Sequence, residues 1–263
     1  MWNEVFIRPI LNVLVLLYKA FSGIGLPGSL GLAIIALTIL IRFLLYPFTQ
    51  AQMKSMQKMQ VLKPHMDKIK EKHKGDAKKQ QVEMARLYKE HNINPAAGCL
   101  PLLIQMPIFI ALYNVLQQVV SIGDIGKVMD DINQKVYFSQ LKLTVPWDPY
   151  FLGVNLGTTP GNWQKDGAFL LIIPVITGVL QFLQTKTMNI APPKLKQEIV
   201  KKNDQKKEDD FQNIMQKQML YFFPAIIAFF SYGFPVGLSL YWNVFSLFGI
   251  IQQVFINKQK NNK

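Results

Sequence analysis

The sequence predicts an all-α polytopic membrane protein, on three observations. Half of the 263 residues are hydrophobic. They are gathered into blocks of roughly 18 to 25 residues, the length that crosses a hydrocarbon core about 30 Å thick, and the charges lie between the blocks. A basic soluble domain with the same formal net charge, +13, would intersperse the two kinds of residue.

Residues 2–22 come first. Val5, Phe6, Ile10, Val13, Leu14 and Leu17 recur at helical spacing, which predicts an external amphipathic helix on the membrane surface, with a short first span as the alternative. Glu4, Arg8, Pro9 and Lys19, with no small-residue cleavage site, argue against a signal peptide. Residues 30–48 (LGLAIIALTILIRFLLYPF) are the first transmembrane helix.

Residues 49–95 read as a cytoplasmic helical hairpin. Met53, Met56, Met59, Leu62, Met66 and Ile69 step by three or four, Lys74-Gly75-Asp76 supplies the turn, and Val82, Met84, Leu87 and Tyr88 continue the pattern. Pro64 predicts a kink in the first arm. A methionine-rich stripe suits a surface for varied apolar partners, and equally the join between the two arms.

The second span is 96–120, followed by an external loop, 121–166, the third span, 167–188, and a charged cytoplasmic loop, 189–218, whose run KLKQEIVKKNDQKKEDD is too polar for a packed core. The apolar run 219–256 would measure about 57 Å as one helix. Gly233-Phe234-Pro235-Val236-Gly237 interrupts it, so it reads as a tight hairpin of two spans, 219–234 and 235–256. Residues 257–263 form the cytoplasmic tail.

Orientation follows from the charges. Residues 49–95 hold eleven Lys/Arg and 189–218 hold seven, whereas 121–166 hold four against five acids. The positive-inside rule places the first two segments and the C-terminus in the cytoplasm and the N-terminus outside. The lysines of the hairpin, the charged loop and the tail could also meet ribosomal RNA or anionic headgroups, although inner-side charge bias alone explains them.

Arg42 is the most informative residue. A guanidinium at bilayer depth costs a few kcal/mol or more, so it faces a wet cavity or a partner; snorkelling is the plainer alternative, since the inner end of the span is only about 9 Å away. Thr38 shares its helix face. Gln105 and Asn114 in the second span, Thr177, Gln181 and Gln184 in the third, and Ser239, Asn243 and Ser246 in the fifth are polar. Singly each suits a bond between packed helices; together they suggest a hydrated interior able to receive Arg42. No acid lies within any span, so the counter-charge to Arg42 comes from water, a helix C-terminus, lipid or a ligand.

The spans hold no serine–histidine pair for proteolysis and no acidic relay for proton pumping, and the chain has no phosphate-cradling loop and no evident inverted repeat. Binding and translocation outrank catalysis, and no enzymatic reaction is expected. Cys99 alone cannot form an internal disulfide, and His65, His73 and His91 lack metal-ligand spacing, so no metal or other cofactor is expected.

Three stretches carry a resemblance. ILIRFLLYPFTQAQMKSMQKM (39–59), NPAAGCLPLLIQMPIF (94–109) and FPVGLSLYWNVFSL (234–247) are similar, in order and spacing across residues 2–257, to the YidC/Oxa/Alb membrane protein insertases. The short external segments resemble the Gram-positive-type bacterial members, which lack a large periplasmic domain. The long charged loop 189–218 departs from shorter relatives. The resemblance implies five transmembrane helices around a hydrophilic groove open to the cytoplasm and closed outside, in the bacterial plasma membrane. By position Arg42 matches the family's groove arginine, Thr38, Gln184 and Trp242 match groove positions, and Phe109 and Tyr241 match substrate-contacting positions on a lipid-facing surface; Gln105 joins the groove set as a polar residue of the second span.

The expected action follows. The groove receives the polar, often acidic, tail of a nascent membrane protein, Arg42 attracts its charge, and the apolar client helix slides into the bilayer without ATP. The lipid bilayer and nascent membrane proteins are the expected partners, with the ribosome and the Sec translocon as further candidates and no small-molecule substrate. The alternative is a small-anion transporter or channel using the same arginine, which saturable anion flux lost in Arg42→Ala would reveal.

Overall fold

The computed structural model describes residues 1–91, 100–120, 125–188 and 218–261. Part of the second family-like stretch, with Cys99, and nearly all of the charged loop 189–218 lie outside the described residues. The chain divides into two compact units. The first holds the chain up to Phe43 and the described residues from Pro107 onward; the second is the segment Leu44–Met106.

In the first unit, a single π-turn, Asn3–Ile7, leads into α1, Arg8–Gly23, with Pro9 in its first turn, where no backbone N–H is needed. Together Asn3–Gly23 is long and apolar enough to cross a membrane. Its inward stripe, Leu11, Asn12, Leu14, Val15 and Tyr18, packs toward the segment 125–147. Polar groups fasten the helix there along most of its length: Arg8 Nε and Asn12 Nδ2 donate to the Lys135 carbonyl (3.2 and 3.1 Å), and Lys19 Nζ donates to those of Gln140 and Lys142 (2.6 and 3.0 Å).

Helix α2, Ser29–Leu44, is shorter than the predicted span. The expectation of one helix over 30–48 is corrected: Leu45 separates α2 from α3, which begins at Tyr46. Pro47 is the cause. It has no N–H to donate, and its ring would strike the carbonyl four residues back, so a helix kinks or breaks there, and here it starts anew with Pro47 in the first turn of α3.

Residues 125–166, within the segment that the sequence reads as an external loop, carry regular elements. Helix α6, Ile125–Lys135, ends where α1 caps it. Strands β1, Tyr150–Phe151, and β2, Val154–Asn155, pair antiparallel through a two-residue turn, Leu152 and Gly153, both at positive φ (50° and 81°) as such turns require. Phe151 lies on Gly31 of α2 so closely that a Cβ there would meet its ring at 2.2 Å. The short helix α7, Trp163–Asp166, and a 3₁₀ turn, Ala168–Leu171, lead into α8, Ile172–Met188.

A π-turn, Gln218–Phe222, precedes α9, Phe223–Gly233, and α10 runs over Val236–Asn261. The break between them falls where the sequence places it. Phe234 is extended (φ −90°, ψ 151°) as the residue before Pro235 must be. The first amides of α10 donate back into the loop after β2, Val236 N to Thr158 O at 2.9 Å and Gly237 N to Leu156 O at 2.8 Å, which satisfies groups that a helix start leaves open.

Among the described residues three helices are long and apolar enough to span a membrane, Asn3–Gly23, Ala168–Thr187 and Val236–Ile256, and four if Ser29–Leu44 with Tyr46–Ser55 counts as one broken span. Large apolar side chains of α8 and α9, among them Val175, Val179, Phe229 and Phe230, face outward.

The second unit is the hairpin. Helices α3, Tyr46–Lys72, which contains Pro64, and α4, Ala77–Glu90, meet across Leu62, Met66 and Leu87, flanked by Met59, Ile69, Met84 and Tyr88. Asp76 caps α4, accepting from Lys79 N at 3.0 Å. Met59, Met66 and Met84 therefore join the two arms, which is one of the two uses the sequence left open. Helix α5, Leu100–Val120, starts in this unit and continues into the first.

Candidate functional site

The first unit buries polar groups and exposes apolar ones along α8, α9 and α10. Thr177, Gln181 and Gln184, spaced by four and three on one face of α8, are all buried, as are Ser231 of α9 and Ser239 and Ser246 of α10. Helices α8 and α9 also approach closely. Gly178 permits this, since a Cβ there would lie 3.0 Å from that of Ala228.

Arg42 lies at one end of this polar row. It sits in the last turn of α2, where a cation complements the helix dipole, and only 2% of it is exposed. Its Nη2 donates to the carbonyl of Phe245 in α10, and its guanidinium carbon stands 3.4 Å from the centroid of the Phe245 ring. Its Nε is buried without a hydrogen-bond partner, and among the described residues no carboxylate pairs with it. Gly249, one turn beyond Phe245, leaves the space that Arg42 and Gln184 share. A Cβ at Gly249 would come 2.7 Å from Arg42 Nη2 and 2.6 Å from Gln184 Nε2.

Farther along α8, Gln181 Oε1 accepts from Trp242 Nε1 at 2.9 Å, and Trp242 stacks edge-on against Phe109 of α5 at 5.2 Å between centroids. At the α9–α10 turn the Ser231 hydroxyl lies 2.9 Å from that of Ser239 and donates to Thr177 Oγ1 at 3.3 Å. Phe109, Tyr113 and Phe230 gather around Phe234 beside this turn. Asn243 Oδ1 and Ser246 Oγ are buried without partners, as is Arg42 Nε, so several unspent polar atoms lie in one helical layer.

The predicted residues thus fall in different places. Arg42, Gln184, Trp242 and Phe109 join the row or flank it. Thr38 is fully buried on the same face of α2, but its hydroxyl is spent on the Ile34 carbonyl at 2.7 Å. Gln105 belongs to the second unit and is half-buried. Tyr241 corrects the expectation of a lipid-facing contact: it is 1% exposed and packs against Phe245 at 5.7 Å, because it shares the inward stripe of α10 with Leu238, Phe245 and Gly249. Phe245 and Gly249 are the residues that sequence reading missed. Their i, i+4 spacing below Tyr241 was the available signal.

The arrangement sets one buried positive charge beside a row of neutral amides and hydroxyls. The 60Kd inner membrane protein family model matches residues 22–263. The membrane protein insertase YidC of Wolinella succinogenes is 36% identical over 253 residues, 96% of this chain and 37% of that protein. That of Fusobacterium nucleatum subsp. nucleatum is 34% identical over 232 residues, 88% of each. That of Caulobacter vibrioides is 34% identical over 261 residues, 97% of this chain and 36% of that protein. This chain therefore spans little more than a third of the Wolinella and Caulobacter proteins and most of the Fusobacterium one.

Proposed function

Because this chain belongs to the 60Kd inner membrane protein family, we propose that it is a multi-pass protein of the bacterial inner membrane that inserts nascent membrane proteins. The observation that carries the mechanism is Arg42, buried, unpaired by any described carboxylate and with its Nε unspent. In this reading α2, α5, α8, α9 and α10 are the five spans, and the polar row on α8 lines a groove open to the cytoplasm. The hairpin α3–α4 and the charged loop 189–218 lie on the cytoplasmic side, as their eleven and seven basic residues favour.

Helix α1 lies on the outer surface, although its length and composition would let it span. Its bonds to Lys135, Gln140 and Lys142 along the helix support this, since a spanning helix would draw that loop backbone through the hydrocarbon.

The client's polar tail enters beside Arg42. Two unit charges 4 Å apart attract by about 4 kcal/mol at an effective dielectric near 20, against about 1 in water, so the same arginine is a far better receptor here than on a surface. Gln184, Gln181 and the hydroxyls beyond reduce the desolvation cost of moving that tail part-way across. The outward apolar face near Phe109 gives the client helix a path into lipid, where burial of apolar surface drives the step. Cooperation with the Sec translocon and with the ribosome belongs to the same proposal.

Protease protection of a single-span client with an acidic N-terminal tail, synthesised in the presence of proteoliposomes holding this protein, tests the reading. Protection of the tail that depends on the protein is expected. Equal protection in empty liposomes contradicts it.

A further inference from the structure

A cleft of about 430 Å³ opens between the N-terminal π-turn with the first residue of α1, the C-terminal half of α5 and the end of α6, away from the polar row. Four polar side chains reach it uncommitted: Lys135, Asn3, and Asn114 and Gln118, one turn apart on α5. None of the four makes a side-chain hydrogen bond or ion pair with any described residue. The other charges are already spent. Arg8 Nη1 pairs with Glu4 at 2.7 Å, its Nε donates to the Lys135 carbonyl, and its guanidinium stands 5.1 Å over the Tyr137 ring. One positive charge and three carboxamides therefore remain, all able to donate.

The cleft also has an apolar side. Trp2 and Ile7 line it, and Trp2 is fixed by Phe6 at 4.6 Å between centroids. Ile110, one turn from Asn114 on α5, is an exposed apolar side chain that leads away from it. Asn114 is itself exposed on a largely apolar helix, a position that in lipid needs a polar cover.

We infer that this cleft binds the headgroup of one glycerophospholipid of the outer leaflet. Its singly charged phosphodiester lies among Lys135 Nζ and the carboxamides of Asn114 and Gln118, and an acyl chain runs down past Ile110. A headgroup phosphodiester and free phosphate offer the same acceptor oxygens; the Trp2, Ile7 and Ile110 surface favours the one that carries a tail. The inference rests on the reading of α1 as an outer-surface helix. Bound lipid would then tie α1 to α5 and α6 at the membrane interface.

Native mass spectrometry of the full chain, purified in mild detergent and offered vesicles of dioleoylphosphatidylglycerol, tests this with Lys135→Gln and with Asn114→Leu/Gln118→Leu. Lys135→Gln spares the backbone carbonyl that holds Arg8 and Asn12, so folding is not at stake. One retained lipid on the unaltered protein, lost about tenfold in each variant and not displaced by inorganic phosphate, is the expected result. Equal retention in all three proteins, or full displacement by inorganic phosphate, overturns it. Lipid retention is read separately from client insertion, so a protein that inserts nothing yet loses its lipid on Lys135→Gln upholds this inference while failing the function proposed above.

Discussion

Phe245 meets Arg42 twice: its carbonyl accepts from Nη2, and its ring lies 3.4 Å from the guanidinium carbon. One residue of α10 thereby fixes the position of a charge carried by α2. The carbonyl is present whatever side chain stands at 245, but the ring is not.

Phe245→Leu keeps the carbonyl and removes the ring. A cation over an aromatic face away from water contributes about 1 to 2 kcal/mol. Client insertion is expected to fall by roughly five- to thirtyfold with the protein still folded, measured by protease protection in proteoliposomes. Unchanged insertion would show that the carbonyl alone suffices.

Gly249→Ala places a methyl group within 2.7 Å of Arg42 Nη2 and 2.6 Å of Gln184 Nε2. Both atoms end flexible side chains, so the fold survives and the two groups are pushed apart. Normal expression with reduced insertion is expected, and Gln184→Ala on the same chain restores part of the loss by freeing the space. A variant with full activity would mean that Arg42 and Gln184 need not share that position.

The Ser231–Ser239 contact joins α9 to α10, and Ser231 also donates to Thr177 of α8. Interhelical hydrogen bonds of this kind contribute about 0.6 kcal/mol on average. A double-mutant cycle of Ser231→Ala and Ser239→Ala, followed by unfolding in detergent, should return a favourable coupling of that order. A coupling of zero contradicts a formed bond.

Tyr88 in the hairpin lies 3.7 Å from Met66 Sδ, and burial raises its phenol above the ordinary value near 10. A raised folded value means that the contribution to stability is complete below about pH 10 and lost as pH climbs through the folded value. The difference in ultraviolet titration between the wild type and Tyr88→Phe should show a phenol ionising above pH 10. Ionisation at or below that value contradicts the buried position.

Much of the architecture is legible in the sequence because its signals are local. Gly233 to Gly237 break the last apolar run where α9 and α10 separate, and the stepping of Met59, Leu62 and Met66 predicts the hairpin. Arg42 announces itself by charge. The stop of α2 at Leu44 was also local, written in Pro47, but the apolar residues around it mask the break. What the sequence does not reveal depends on partners distant in the chain. Residues 125–166 are held by bonds to α1 and α10, such as Asn12 Nδ2 to the Lys135 carbonyl and Val236 N to the Thr158 carbonyl. Phe245 and Gly249 look like ordinary lining until α2 brings Arg42 to them, and Tyr241 turns inward with them.

The central claim is that a positive charge at residue 42 carries client insertion. A bacterial strain depleted of its own insertase and supplied with this chain as wild type, Arg42→Lys or Arg42→Ala tests it most directly. Growth and client insertion restored by the wild type and by Arg42→Lys, but not by Arg42→Ala at equal expression, is the predicted result. Equal rescue by Arg42→Ala would contradict it.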